Sequence, residues 1–155
     1  LGHGLSFACG LSLAAKYDKL KSKNIVLLGD AECSEGSIWE ASLFASFHKL
    51  NNLIAIIDNN NIGSLDYNKN FTSLNNLDEK FRSFGWFVQI INGHSIQEIL
   101  RAFEKCYKSK KPSVIIAKTI KGKGISIMEN DPIWHVKTLS TEKEIRLAKK
   151  EIFNF

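Results

Sequence analysis

Asp30 and Asn60 lie thirty residues apart, and each follows an apolar run of strand length. Ile25-Val26-Leu27-Leu28 leads into Gly29-Asp30, and Leu53-Ile54-Ala55-Ile56-Ile57 leads into Asp58-Asn59-Asn60-Asn61. A carboxylate and an amide oxygen are hard donors that leave coordination places for phosphate oxygens, as Mg²⁺ prefers. The separation is that of one βαβ unit, which carries both strand ends to the same side of a parallel sheet. Between them, Ser37-Ile38-Trp39-Glu40 has the spacing of a capping box, so a helix N-terminus suited to anions is expected nearby. The pattern predicts a crevice for a Mg²⁺-diphosphate group. Taken singly the two residues say less, because Asp also caps helices and Asn tolerates turns. Their coincidence at successive strand ends favours the metal.

The elements that must position them follow from hydrophobic periodicity. A small-residue helix is expected over 5–20, ending in Lys16, Lys19 and Lys21, followed by a strand at 25–28 and a helix over 37–50 that is apolar on most of its circumference. A helix apolar all round is buried in a core or at a subunit interface, and in a chain this small an interface is expected. After the strand at 53–57 comes an Asn-rich connection over 59–76, too polar for core and long enough to be a functional loop. A short helix at 77–84 ends at Gly85, and a strand follows at 86–91. Ser95 and Glu98 form a second capping box before an amphipathic stripe of Ile96, Ile99, Leu100, Phe103 and Tyr107. Pro112 introduces a buried-looking strand at 113–117. The loop Lys121-Gly122-Lys123-Gly124 leads to an irregular stretch over 128–139, and Thr141 with Glu144 opens a last helix, 140–155. Alternating strands and helices predict an α/β fold, a doubly wound, mostly parallel sheet with helices on both faces.

With 155 residues, 44% hydrophobic and 24% charged, the chain fits one ordinary globular domain, 1–155. No apolar run approaches a membrane span, and no secretory leader pattern appears. Cys9, Cys33 and Cys106 are widely spaced without CxxC pairs, which points to free thiols in a reducing, cytoplasmic compartment. The formal charge of +5 owes much to the stretch from Arg101 to Lys123, read as a solvated Lys-rich face. Basic residues interleaved with aromatics are absent, so no nucleic-acid partner is expected. The chain opens on Leu1-Gly2-His3-Gly4 with no strand before its first helix, which reads as a domain that is incomplete at its N-terminus.

Gly29-Asp30 through Asn60 resembles the thiamine-diphosphate motif, a GDG followed some thirty residues on by NN. The flanks extend the likeness. Leu1-Gly2-His3-Gly4-Leu5-Ser6, Glu35-Gly36, Trp39-Glu40-Ala41, Leu50 through Asp58, and Lys118-Thr119-Ile120-Lys121-Gly122-Lys123-Gly124 are similar to transketolase. Met128-Glu129-Asn130 with Trp134-His135 is similar to the separately encoded N-terminal subunit of split transketolases. The resemblance implies the thiamine-diphosphate-binding fold and the diphosphate-binding half of an enzyme that moves a two-carbon ketol unit between sugar phosphates. It places the metal, Mg²⁺ with Ca²⁺ or Mn²⁺ as substitutes, on Asp30, the Asn60 side chain and the Ile62 carbonyl. Thiamine diphosphate would contact the backbone around Leu1, Gly29 and Ala31, together with Asn60 and His135. His135 would also reach the substrate, and Glu35 would join an acidic network between the two cofactor sites of a dimer. His3, His48 and His94 receive no such role.

The resemblance also implies a partner, a C-terminal pyrimidine-binding subunit that supplies the glutamate acting on the cofactor, in a homo- or hetero-oligomer. Three departures from the family pattern stand out: Ala31 in place of the motif's third glycine, Val136 where a glycine commonly follows the histidine, and the missing upstream segment with its channel histidines. Two other users of the motif, the α subunit of 2-oxoacid dehydrogenases and deoxyxylulose-phosphate synthase, are the rival enzymes, and a non-catalytic binding module is the rival from another class.

Overall fold

The structure is a computed structural model that describes residues 1–64, 66–72 and 74–153. Helices and strands alternate along the chain as α1 (Gly4–Tyr17), β1 (Asn24–Gly29), α2 (Gly36–Phe47), β2 (Leu53–Asn59), α3 (Leu77–Ser83), β3 (Phe87–Asn92), α4 (Ile96–Lys108), β4 (Ser113–Lys118) and α5 (Glu142–Phe153). The four strands pair in parallel in the order β1-β2-β4-β3. The α/β expectation and its parallel sheet therefore hold. Gly29 pairs with Asp58, and Asn59 pairs with Lys118, so the polar strand ends share one edge of the sheet.

Helices α1, α2 and α3 cover one face, where Leu28, Leu53, Ala55, Ile57, Val114 and Ile116 meet Leu5, Ile38 and Phe81. Trp86 closes this core, its ring edge against Phe81 and its Nε1–H donating to the Ser42 carbonyl at 2.9 Å. Helix α4 covers the other face over Ile54, Ile91, Ile115 and Ala117. It does so with Ala102 and Cys106, flanked by half-buried Ile99 and Phe103 of the expected stripe, while Ile96, Leu100 and Tyr107 are exposed. Small residues at the centre of the contact let the helix sit close on the sheet, with Ile99 and Phe103 packing at its side. Leu43, Phe44 and Phe47 of α2 also remain exposed in the isolated chain.

Three helices end in the same backbone motif. Leu20 N–H reaches back to the Ala15 carbonyl, Leu50 N–H to that of Ala45, and Trp86 N–H to that of Phe81. The residues before them, Lys19, Lys49 and Gly85, have φ of 56°, 51° and 87°. This is the Schellman arrangement, whose left-handed residue is usually glycine. Only the third was legible as a stop, so the first two helices end at Tyr17 and Phe47, short of the expected 20 and 50. The first capping box does not form either: Glu35 is the N-cap of α2 without a side-chain bond, and Ser37 Oγ donates instead to the Gly2 carbonyl at 2.7 Å.

Parallel topology also sorts the charge. Residues 16–24, 47–52, 84–86 and 108–112, which enter the strands, hold eight lysines and a single acid, Asp18. Acidic side chains outnumber basic ones in the rest of the chain. The excess thus lies at the edge where helices end, with Lys16 Nζ on the carbonyls of His48 and Lys49 and Lys23 Nζ on that of Asn51. Cations suit helix C-termini, so the helix macrodipoles account for this pole. It is the edge opposite the polar strand ends.

The last helix is held by the third capping box. Thr141 Oγ1 accepts from Glu144 N–H at 3.2 Å, and the Glu144 carboxylate accepts from Lys137 Nζ at 2.7 Å and from the Ser140 and Thr141 N–H groups. Residues 154 and 155 of the expected 140–155 helix lie outside the described residues. The Lys137 ammonium and these amides hold the Glu144 carboxyl well below its usual 4.5, at about 2. A depressed carboxylate stabilises the fold above its unfolded value and loses that contribution as pH falls through the folded one. The α5 N-terminus is therefore expected to keep helical Cα shifts for residues 141–148 at pH 6 and to lose them as pH drops from about 4.5 toward about 2. Glu144→Gln is expected to show the acid-form shifts at neutral pH.

Candidate functional site

Asp30 is 2% exposed at the end of β1, with its own N–H on the Asp58 carbonyl at 3.2 Å. One carboxylate oxygen accepts from Ala31 N–H at 2.7 Å and the other from Asn61 N–H at 2.6 Å. Burial raises the Asp30 pKa and the nearby Asp58 charge adds to this, against hydrogen bonds from Asn61, the Asn68 side chain and Ala31. The ion pairs among the described residues lie elsewhere. A buried carboxylate without a cationic partner is costly, and such groups are normally paired or metal-bound.

Asn60 does not point at Asp30 with a bare amide. Its Nδ2 donates to Asp58 Oδ2 at 3.2 Å, and its Oδ1 accepts from Ile62 N–H at 2.9 Å. Segments 61–64 and 66–68 pair as a small hairpin in which Ile62 bridges Tyr67, and the Asn68–Asn61 and Gly63–Asp66 backbone bonds that close it leave the Ile62 carbonyl out. Asn68, on the second arm of this hairpin, is buried, and its Oδ1 has no hydrogen-bond partner among the described residues. The Asn-rich connection is thus not all surface: Ile62, Gly63 and Asn68 are buried. A cleft of about 530 Å³ opens here, walled by Asp30, Asn59, Asn61, Asn68, Lys69 and Lys118.

Glu32 was not singled out in the sequence, yet it ties the start of the chain to the site. Its carboxylate accepts from Gly2 N–H at 2.7 Å and from Gly29 N–H at 3.2 Å. With Ala31 N–H on Asp30, the amides of Gly29 and Ala31 are both engaged. Leu1 is exposed beside Gly2, and Glu35 is exposed at the head of α2, where its Cβ lies against Gly2. The signal that distinguishes Glu32 from Glu35 is the 3₁₀ turn over Ala31–Ser34, which no local pattern announced. The thiols take no part: burial pushes Cys9 up to about 11 and Cys33 up to about 12, which leaves both protonated and inert.

His135 sits at the end of a 3₁₀ turn, Pro132–His135, inside the stretch expected to be irregular. It is exposed, with Nδ1 3.5 Å from Lys121 Nζ. Its loop is fixed at several points: Thr119 N–H donates to the Asn59 carbonyl, Ile120 N–H to His94 Nε2 at 2.8 Å, and Tyr67 hydroxyl to the Asn130 carbonyl at 2.8 Å. The site therefore joins Asp30, Asp58, Asn60, Asn61, Ile62 and Asn68 directly, with His135 on the adjoining loop.

The family model for the thiamine diphosphate binding domain of transketolase matches residues 1–154. The chain belongs to the transketolase family. Transketolase of Homo sapiens is 44% identical over 140 residues, covering 90% of this chain and 22% of that protein. An apulose-4-phosphate transketolase subunit of Phocaeicola vulgatus is 43% identical over 136 residues, covering 87% of this chain and 48% of that one. The crystal structure of a transketolase from Campylobacter jejuni superposes with a TM-score of 0.91 at 36% identity, over 97% of this chain and 25% of that chain. The chain thus spans about half of the Phocaeicola protein and about a fifth of the human transketolase.

Gly2 is the family segment's tight point. It has φ +80°, and an added Cβ would fall 2.7 Å from Glu35 Cβ and 2.8 Å from Ser37 Oγ. Gly2→Ala is expected to destabilise the chain by about 1–3 kcal/mol in denaturant unfolding. Gly10, helical with nothing within 4 Å, provides the contrast. Gly10→Ala is expected to stabilise by roughly 0.5–1 kcal/mol.

Proposed function

We propose that this chain is the diphosphate-binding part of a transketolase-type enzyme, which transfers a two-carbon ketol unit between sugar phosphates together with a pyrimidine-binding partner chain. The observation that carries the reading is the buried Asp30 carboxylate at a strand end, which pairs with no cationic side chain among the described residues, in a chain of this family. Several relatives are named as single subunits of transketolases, which supports a separately encoded partner and a hetero-oligomer. Three buried free thiols and a chain without a helix long and apolar enough to cross a membrane, among the described residues, support a cytoplasmic setting.

The donor set fits a hard divalent cation carrying a diphosphate. Asp30, Asn60 Oδ1 and the Ile62 carbonyl are oxygen donors, and Mg²⁺ fills its remaining places with phosphate oxygens and water. Lys69 and Lys118 on the cleft wall balance the phosphate charge. Thiamine diphosphate, when bound, supplies the carbanion stabilisation that lets a two-carbon unit leave one sugar and join another. This chain's part is binding and orientation. Asn68 and Asn61 hold the Asp30 carboxylate, Glu32 holds the Leu1-Gly2 end and Gly29 against the crevice, and Ala31 closes its turn. His135, exposed beside Lys121, would reach a sugar hydroxyl or phosphate. Glu35, exposed at the head of α2, is placed for an acidic contact with the partner chain.

With a transketolase C-terminal chain present, Asp30→Asn is expected to abolish Mg²⁺-dependent thiamine-diphosphate binding in calorimetry, and unchanged affinity would remove the site assignment. His135→Ala is expected to raise KM for a ketose phosphate by about tenfold or more while the unfolding midpoint stays put. Equal loss of both would make His135 structural.

A further inference from the structure

Asp58 links two parts of the site, Asn60 and the loop that begins at Thr119. Its Oδ2 accepts from Asn60 Nδ2 at 3.2 Å, and its Oδ1 accepts from the Thr119 hydroxyl. Thr119 roots the loop that carries Lys121 and His135, and its N–H is already fixed on the Asn59 carbonyl at 3.1 Å. The backbone on this side is tied as well, through Asp30 N–H on the Asp58 carbonyl. Both Asp58 oxygens therefore accept from donors of this chain, one from Asn60 and one from Thr119, so the carboxylate bridges the two.

The consequence concerns which end of the Asn60 amide faces where. Oxygen and nitrogen of an amide are nearly the same size, and only hydrogen-bond partners tell them apart. An ionised carboxylate only accepts, and the Ile62 N–H only donates at 2.9 Å. Placed between them, the amide has one satisfied orientation: nitrogen to Asp58, oxygen away from it, with one lone pair still open. The bond to Asp58 is charge-assisted and is the stronger of the two constraints. Reversal would set an amide N–H against the Ile62 N–H and the amide oxygen against a carboxylate.

We propose that Asp58 is a positioning residue that fixes the oxygen-outward orientation of Asn60 and ties it, through Thr119, to the loop bearing His135. This rests on the reading of Asp30, Asn60 and Ile62 as cation ligands. Outer partners of metal ligands commonly set affinity by 10–100-fold, by aiming the ligand atom. Asp58 does so here for a neutral ligand whose wrong end would repel the cation. The same carboxylate also reports the position of the β4 end to the β2 end. Moving Thr119 then disturbs the Asn60 oxygen.

The test uses the full chain and Mn²⁺ alone, with free Mn²⁺ followed by electron paramagnetic resonance and the Asn60 side-chain amide followed by ¹⁵N spectra. Asp58→Leu is expected to weaken Mn²⁺ about 10–100-fold and to average the Asn60 amide resonances. Asp58→Asn can accept from Asn60 and donate to the Thr119 hydroxyl, and is expected to stay within about threefold of the unaltered chain. If Asp58→Asn is as weak as Asp58→Leu, Asp58 acts by charge and the positioning role is overturned. Should Asp58→Leu not fold, the unaltered chain decides: a single, slowly exchanging Asn60 amide pair supports the proposal, and an averaged one overturns it. Asp30→Asn separates the two levels. Lost Mn²⁺ binding there with none lost in Asp58→Leu overturns the Asp58 role alone, while Mn²⁺ binding retained in Asp30→Asn overturns the ligand assignment beneath it.

Discussion

The Asp30 carboxylate, buried and gripped by two backbone amides, is the interaction on which the rest of the site depends. Its bond to Asn61 N–H joins the end of β1 to the loop that follows β2. Parallel pairing alone brings those ends to one edge, but it does not set the loop. The Asp30–Asn61 bond does, and the hairpin bridged by Ile62 and Tyr67 then closes over Asn68, whose side chain returns a hydrogen bond to Asp30. Burial works against the charge this carboxylate must carry, and without a cation the site keeps an unbalanced negative group in its interior. The cation proposed for the surrounding oxygen donors would relieve that tension.

Sheet topology separates two kinds of electrostatics. All helices covering the sheet end at its amino edge, where lysines meet exposed carbonyls, and the acidic and amide groups collect at the carboxyl edge. The net positive charge of the chain is therefore not an attraction aimed at phosphate in the cleft. It answers the helix ends. What the cleft offers to a phosphate is local: two lysines on its wall and, in the function proposed above, a cation on Asp30 and its neighbours.

The apolar runs made the strands legible, and Asp30 and Asn60 were legible because each closes one. The partners of Asp30 were not, since a backbone amide leaves no trace in residue type, and the run of four polar residues from Asp58 to Asn61 at the end of β2 offers several equal candidates. Glu32 escaped notice for the same reason: its partners are the N–H groups of Gly2 and Gly29. Lys19 and Lys49 hid two helix ends because lysine in a left-handed conformation has no sequence signature, whereas Gly85 declared itself. Helix α4 was legible in part: Ile99 and Phe103 of its stripe pack on the sheet, and the small Ala102 and Cys106 beside them, which no stripe of large residues announced, are the buried ones.

One measurement bears most directly on the central claim, that Asp30, Asn60 and Ile62 together hold a divalent cation beneath a diphosphate. It is the anomalous difference map of the chain crystallised with its partner, Mn²⁺ and thiamine diphosphate. The account predicts one strong Mn²⁺ peak within about 2.0–2.3 Å of an Asp30 oxygen, Asn60 Oδ1 and the Ile62 carbonyl, with diphosphate oxygens completing the shell. A cofactor bound with its metal elsewhere, or a peak that touches Asp58 in place of Asn60, would contradict it.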